Sequence, residues 1–358
     1  MAKQYRPFIL ARAGELAGLA RLDAGQRQTI SPVLRIPERA WDYENGRYAK
    51  THEAHIGSVP DRLERAWAGG RGYLDLSLIE KERPVGGKHP LQYLIDESDA
   101  RNVTLVPLID SASTPEALAA ATAVHAASGR GAAIQLPQVD WTTINATALT
   151  GLLTALAMTP SDIDVVVDFE GAAGPVTEVA LIAELASLRG IGWFRSVTVG
   201  GTAFPDLAGV PQGTSEYPRT EWNVYASVRG KIAQQGVSTP DFFDHVIHNP
   251  ELTELGVDPR FLSISAHFRY AVADKWLVAK GKLFKGRGTT SMGGAALVPA
   301  LSTLIRHPEY ASPVRSHADD WIEAVVAGKE SPGAPQKWRE WGTVRHLEVA
   351  ASQLASLT

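Results

Sequence analysis

The 358-residue chain contains no cysteine. Disulfides, thiolate nucleophiles and cysteine-ligated zinc are therefore excluded. No stretch approaches the roughly 18 apolar residues of a membrane span. The first residues, MAKQYRPFILARAGE, lack the apolar core of a signal peptide. These absences lead us to expect a cytoplasmic protein with no membrane contact. Excess positive charge is also missing: 35 Lys and Arg stand against 39 Asp and Glu, a formal net charge of -4. The chain as a whole is therefore not a basic nucleic-acid binder. HxH, HExxH, GxSxG and the phosphate-binding loop are absent too. What is present is an ordinary globular composition, 44% hydrophobic and 21% charged. A chain of this length can bury a large core without a disulfide or metal staple.

Short apolar runs alternate with helical stretches. The runs are PFILAR (7–12), PVLRIPE (32–38), YLDLSLI (73–79), TLVPLID (104–110), AAIQLPQ (132–138), DVVVDFEG (164–171) and SVTVGGT (196–202). An eighth, FLSISAHFRYA, starts at 261. The helical segment TPEALAAATAVHAASG has a threonine cap, a proline at the first helical position and a terminal glycine. VTEVALIAELASLRG has a helical period and stops at glycine. The early spacing is that of βαβ units, whose crossover takes about 30 residues. Eight such runs predict an α/β fold of (β/α)8 TIM-like barrel type, with a doubly wound sheet as the alternative. We expect a single barrel domain over 1–358. Residues 261–358 would supply the last strand, a hairpin around Ala273-Asp274-Lys275 and a C-terminal helical extension. The glycine cluster KGRGTTSMGG (285–294) reads as a mobile loop.

Alternation along each strand sends residues i and i+2 to one face. On that rule Arg12 shares a face with Phe8 and Leu10, Arg35 with Val33, and Asp75 with Tyr73. Asp110 follows Val106 and Leu108, Gln135 lies on the fifth run, and Asp168 and Glu170 follow Val166. In the eighth run Ser265, His267 and Arg269 point together. If these faces are inward, the barrel mouth carries a ring of arginines and carboxylates where barrel enzymes keep their active sites. The same charges could instead pair off as a closed structural core, since burying any of them alone is costly.

As a site, Asp168, Glu170 and His267 are the candidate catalytic groups. They would act as acid and base or hold a divalent metal. Arg12, Arg35, Asp110, Gln135 and Arg269 are the candidate ligand-binding groups, the arginines as clamps for phosphate or carboxylate. His52 and His55 have HxxH spacing but sit in the polar 39–60 segment, where a solvated loop is the expectation.

Several segments in order resemble the beta family of phage and bacterial proteins. YRPFILARAGE supplies Arg12, Gly14 and Glu15, and YPRTEWNVY supplies Arg219, Glu221 and Trp222. TPDFFDHVIHNPE keeps Asp241 of a short acidic turn. HFRYAVADKWLVAKG keeps Arg269, Tyr270, Trp276 and Gly281, and KWREWGTVRHLEV keeps Trp338, Arg339 and His346, with Arg345 in place of a histidine. The resemblance spans nearly the whole chain and adds Arg219 to the candidate ligand-binding set. It implies a component of an anti-phage defence or toxin-control cassette, partnered by a neighbouring cassette protein or a phage protein. It supplies no reaction. A phosphate-ester hydrolase and a non-enzymatic immunity protein with a structural charge ring both remain open.

Overall fold

Seven of the eight expected runs become strands of one parallel sheet, and the eighth strand comes from elsewhere. The computed structural model describes residues 5–79, 83–138, 141, 143–171, 174–250, 262–286 and 291–357. Its strands are β1 (Phe8–Leu10), β2 (Val33–Arg35), β3 (Trp41–Asp42), β4 (Arg47–Tyr48), β5 (Arg71–Asp75), β6 (Thr104–Ile109), β7 (Ala132–Pro137), β8 (Ile163–Asp168), β9 (Ser196–Gly201), β10 (Gly213–Pro218), β11 (Asp241–Asp244), β12 (Ile264–Ala271) and β13 (Lys275–Lys285). Its helices are α1 (Ala13–Ala20), α2 (Ala24–Thr29), α3 (His52–Gly57), α4 (Val59–Trp67), α5 (Pro90–Asp99), α6 (Pro115–Ser128), α7 (Thr143–Leu156), α8 (Pro175–Ile191), α9 (Thr220–Gln234), α10 (Val298–Leu304), α11 (His317–Val326) and α12 (Pro335–Ser356). None of the described helices is long and apolar enough to cross a membrane.

Eight strands run parallel in the order β1-β2-β5-β6-β7-β8-β9-β11. The seam between first and last is bridged just before β1. Tyr5 pairs in parallel with Phe242, and the Arg6 amide donates to the Phe242 carbonyl at 2.9 Å. The result is a nearly closed barrel. Its interior is packed by Phe8, Val33, Tyr73, Val106, Leu108, Ala133, Val166 and Phe243. These are the residues that alternation placed on the inward face, joined by Phe243. The opposite faces of the strands, with residues such as Ile9, Leu34, Leu74, Val165 and Phe242, pack under the helices. Helix α6 starts where its sequence says: Thr114 Oγ1 accepts from the Ala117 amide at 3.3 Å, Pro115 follows, and Gly129 ends it in the left-handed region at φ 66°.

The expected eighth strand is a correction. The closing strand is β11, in the short DFFD segment, with Asp241 facing Thr198 and Asp244 facing Gly201 across the β9 pair. The run read from 261 instead gives β12, and Phe261 itself lies outside the described residues. β12 pairs antiparallel with β13 through the expected hairpin, and β10 pairs with the other edge of β13. This three-stranded sheet packs with α10, α11 and α12 around its own core of Phe268, Tyr270, Leu277, Leu301, Trp321 and Trp338. In the glycine cluster, Gly293–Leu297 forms a short 3-10 helix, while 287–290 lie outside the described residues. The 39–60 segment folds as the β3–β4 hairpin followed by α3 and the start of α4.

Candidate functional site

Two residues beyond six of these interior positions, the side chains turn polar. From Val33 this gives Arg35, from Tyr73 Asp75, from Leu108 Asp110, from Ala133 Gln135, from Val166 Asp168 and from Phe243 His245. All lie at the C-terminal ends of the barrel strands. Arg12 follows β1, and Glu170 follows Asp168.

On one side of the mouth the ring closes on itself. Arg35 Nε donates to Asp75 Oδ2. Burial alone would raise the Asp75 pKa, but the Arg35 charge and the Ser77 amide, 2.8 Å from Oδ1, hold it below the ordinary carboxylate range. Asp110 accepts from Ser113 Oγ at 2.9 Å and the Ala112 amide at 3.0 Å, a local turn rather than a contact across the barrel. The cavity between Asp75, Asp110 and Gln135 has a volume of ≈ 30 Å³, room for about two water molecules.

The other side is built differently. Gln135 Nε2 donates to Asp168 Oδ2 at 2.8 Å, and the Glu170 amide donates to Oδ1 at 2.8 Å. His245 Nε2 stands 3.7 Å from Asp168 Oδ2, and its ring lies 5.0 Å from that of Phe8. Arg35 covers the same Phe8 ring, with its guanidinium carbon 5.4 Å from the centroid. Beyond His245, burial and the charges of His245, Arg12, Arg269 and Arg35 push His248 down to about 4, so it is neutral at pH 7. Arg269 reaches this group from β12, outside the barrel, with its guanidinium 5.1 Å from the Phe204 ring centroid. Burial pushes Arg269 down to about 10; Glu15 opposes the shift, and Arg339 and Arg12 add to it. Its Nε is buried without a hydrogen-bond partner.

His267 shares the Arg269 face of β12 and has Nδ1 3.1 Å from the Ser265 carbonyl. Burial, with Arg269, Lys280 and Arg339 adding to it, pushes the imidazole down to about 3. It is therefore uncharged at neutral pH and has no proton to give as an acid there. Glu170 adopts φ 54°, left-handed for a non-glycine residue. Arg219 is not brought to the mouth. It is completely buried under the outer side of the barrel, where it bonds Glu221 Oε1 at 3.1 Å, the Val272 carbonyl at 3.1 Å and Gln353 Oε1 at 2.8 Å. The solvated-loop reading of His52 and His55 is also overturned. Both are buried in α3, with Nε2 atoms 3.0 Å from the Arg83 carbonyl and 2.9 Å from the Pro37 carbonyl.

Among the described residues, the one grouping of carboxylates and histidine with metal-ligand spacing is Glu216, His307 and Glu309. Lys275 already bridges its carboxylates at 3.1 and 3.0 Å, and an ammonium there competes with any cation. Around Asp168 the neighbours are the Gln135 amide, the Glu170 backbone N–H and His245. Sequence reasoning missed His245 and His248. Their signal was the alternation in DFFDHVIH, two aromatics flanked by acids, which was read as a turn.

The family model described as Beta protein matches residues 5–352. The chain belongs to the Beta protein family. No curated protein matches it. Among solved structures it is similar to the catalytic domain of a mannanase from Streptomyces sp. SirexAA-E, at 12% identity and TM-score 0.38, over 68% of this chain and 74% of that one. It is also similar to the C-terminal domain of a protein named as a chitinase from Desulfitobacterium hafniense DCB-2, at 10% identity and TM-score 0.37, over 99% and 100%. Likeness this loose does not bear on function.

The residues that carried the resemblance to the Beta family gather mainly where α12 and the hairpin meet the barrel. His346 Nε2 is 2.6 Å from Asp244 Oδ2, Tyr5 donates to Asp244 Oδ1 at 2.6 Å, and the His346 ring stacks on Trp276 at 4.8 Å. Arg345 bonds the Ala271 and Val314 carbonyls and Asp319, which also accepts from Tyr270 at 2.7 Å. A Cβ on Gly14 would come 2.6 Å from the Gln336 carbonyl oxygen, so glycine is what lets α12 lie against α1. Arg339 Nε reaches Glu15 Oε1 across that contact at 3.3 Å. In this Beta-family chain, most of the signature residues join the C-terminal module to the barrel, and Arg12 and Arg269 extend to the mouth.

Proposed function

We propose that this Beta-family protein binds an anionic group, phosphate or carboxylate, at the mouth of a (β/α)8 barrel. We read the barrel and C-terminal module as one unit, because Arg269 of β12 completes the barrel's own polar end. The observation that carries the reading is the gathering of arginine at the strand ends: Arg35 stands over the Phe8 ring that His245 also touches, and Arg269 from β12 has a buried Nε with no hydrogen-bond partner. Arginine suits planar anions through its fork of donors. Asp110 and Gln135 line the closed side, and Arg219 belongs to the structural interface. The biological setting we propose is the one the family resemblance implies: a cytoplasmic component of an anti-phage defence or toxin-control system, working with a neighbouring cassette protein or a phage protein.

Calorimetric titration with inorganic phosphate tests the reading. Wild-type protein binds, and Arg269→Gln weakens binding about tenfold, the scale of one lost charge-assisted hydrogen bond, with an unchanged circular dichroism spectrum. No heat of binding from wild-type protein at millimolar phosphate would sink it. The Arg35–Asp75 pair favours a second reading, a structural ring in a non-enzymatic immunity protein. That reading predicts no phosphate binding together with tight association with a neighbouring gene product.

A further inference from the structure

His245 lies just past β11, 3% exposed, against the rings of Phe8 at 5.0 Å and Phe243 at 5.9 Å. These contacts fix its plane. Across the mouth, Asp168 is fixed as well, by the Gln135 amide on one oxygen and the Glu170 backbone N–H on the other. The second donor depends on a strained turn. Glu170 takes φ 54°, and its carbonyl accepts from the Thr202 amide at 2.9 Å. The approach is possible because residue 201 is glycine: a Cβ there would come 2.3 Å from the Glu170 oxygen. Backbone strain of this kind persists where the surroundings over-determine it, commonly at functional positions. A buried carboxylate and a buried imidazole are thus each locked in place, 3.7 Å apart, with Arg35 over the same Phe8 ring that His245 touches.

We propose that the anion taken at this mouth is a phosphate ester, and that His245, oriented by Asp168, takes the proton from the water that attacks it. The inference rests on the anion-binding reading above. The water oxygen forms a bond to phosphorus while its proton passes to His245. The ester P–O bond breaks on the opposite side of phosphorus, the leaving oxygen takes a proton from solvent, and the imidazolium gives its proton up to solvent. Water, ester, alcohol and released phosphate balance the step. Arg12 and Arg269 hold the charge that spreads over the phosphoryl oxygens. His245 is the catalytic residue and Asp168 a positioning residue that holds the ring and steadies its charged form. Their separation exceeds a hydrogen bond, and pairs of this kind commonly tighten only when substrate is bound. His267 was the histidine expected from sequence, but it bonds its own strand instead.

The test uses the full chain with 4-nitrophenyl phosphate and bis(4-nitrophenyl) phosphate, read by release of nitrophenolate, beside calorimetry with inorganic phosphate. The wild-type protein is expected to hydrolyse at least one ester. His245→Gln should lower turnover about a hundredfold or more, the usual scale of a lost proton-transfer group, with phosphate affinity within about threefold of wild type. Asp168→Asn should lower kcat about tenfold or more with KM little changed; a purely structural role lowers the unfolding midpoint and leaves kcat of the folded protein in place. If His245→Gln fails to fold, His245→Asn is judged on the same two readouts. Phosphate binding without hydrolysis of either ester overturns this inference alone, as does full turnover by the His245 variants. Absence of phosphate binding overturns the anion-binding reading and this inference with it.

Discussion

The two ends of the barrel solve the burial of charge in opposite ways. At the N-terminal end, Arg6 is 3% exposed and reaches three strands. It bonds Asp241 Oδ2 at 2.7 Å, the Tyr73 hydroxyl at 3.1 Å, Ser196 Oγ at 2.9 Å and Thr198 Oγ1. Tyr73 passes the chain on to Asp164 at 2.9 Å, and Arg195 grips the same carboxylate at 2.6 and 3.1 Å. Each charge meets its opposite within hydrogen-bonding range. At the C-terminal end, arginines and histidines crowd one another, Arg269 leaves a buried Nε unbonded, and His245 stops short of Asp168. The N-terminal end satisfies itself, whereas the mouth pairs Arg35 with Asp75 and leaves Arg269 Nε unbonded.

The largest effect is expected from breaking the N-terminal network. Asp164→Ala leaves Arg195, the Tyr73 hydroxyl and Ser196 without their shared acceptor and should cost about 3–5 kcal/mol in denaturant unfolding. A loss under about 1 kcal/mol would mean that the N-terminal end is not the self-sufficient one.

Acid should then separate the ends by pH window. The His248 imidazole is depressed to about 4 in the fold. Its contribution is present above its unfolded value near 6.5 and is lost as pH falls from there through about 4. Asp164 is also depressed: burial would raise it, but Arg195 and Arg6 outweigh that. Its contribution is present above about 4 and is lost only as pH falls further. His248→Gln should therefore flatten the stability curve between about pH 6.5 and 4, and Asp164→Asn the part below that. Chemical unfolding at stepped pH reads both, and one shared window for the two variants would erase the distinction.

The smallest loss of stability belongs to the mouth. Asp168→Ala with Glu170→Ala should stay folded and cost about 1–2 kcal/mol, the scale of unpairing two amide donors. Phosphate affinity should not fall, since two negative charges have left an anion site. A loss matching that of Asp164→Ala would make the ring a second self-satisfied network.

Much of the mouth was legible from alternation. Val33–Arg35, Tyr73–Asp75 and Val166–Asp168 fall on the inward face because a parallel barrel imposes a period of two on every strand. Periodicity could not reveal which strand closes the barrel. β11 has four residues, two of them acids turned to opposite faces: Asp241 inward to Arg6 and Asp244 outward to Tyr5 and His346. A strand so short and so charged offers only Phe242 and Phe243 as apolar residues, too few to show a period, and His245 was lost with it. Arg219 was misplaced for a related reason. Its type suggested a ligand, but the chain surrounds it with Glu221, Gln353 and a backbone carbonyl that lie far apart in sequence.

Tyr5 also sets an order in time. Its hydroxyl bonds Asp244, 239 residues away, and Asp244 in turn bonds His346, a further 102 residues on. A ribosome delivers every barrel strand well before it delivers the helix that clamps the first strand to the last. Until α12 arrives, the nascent barrel has an acid beside its seam that meets Tyr5 but not yet His346.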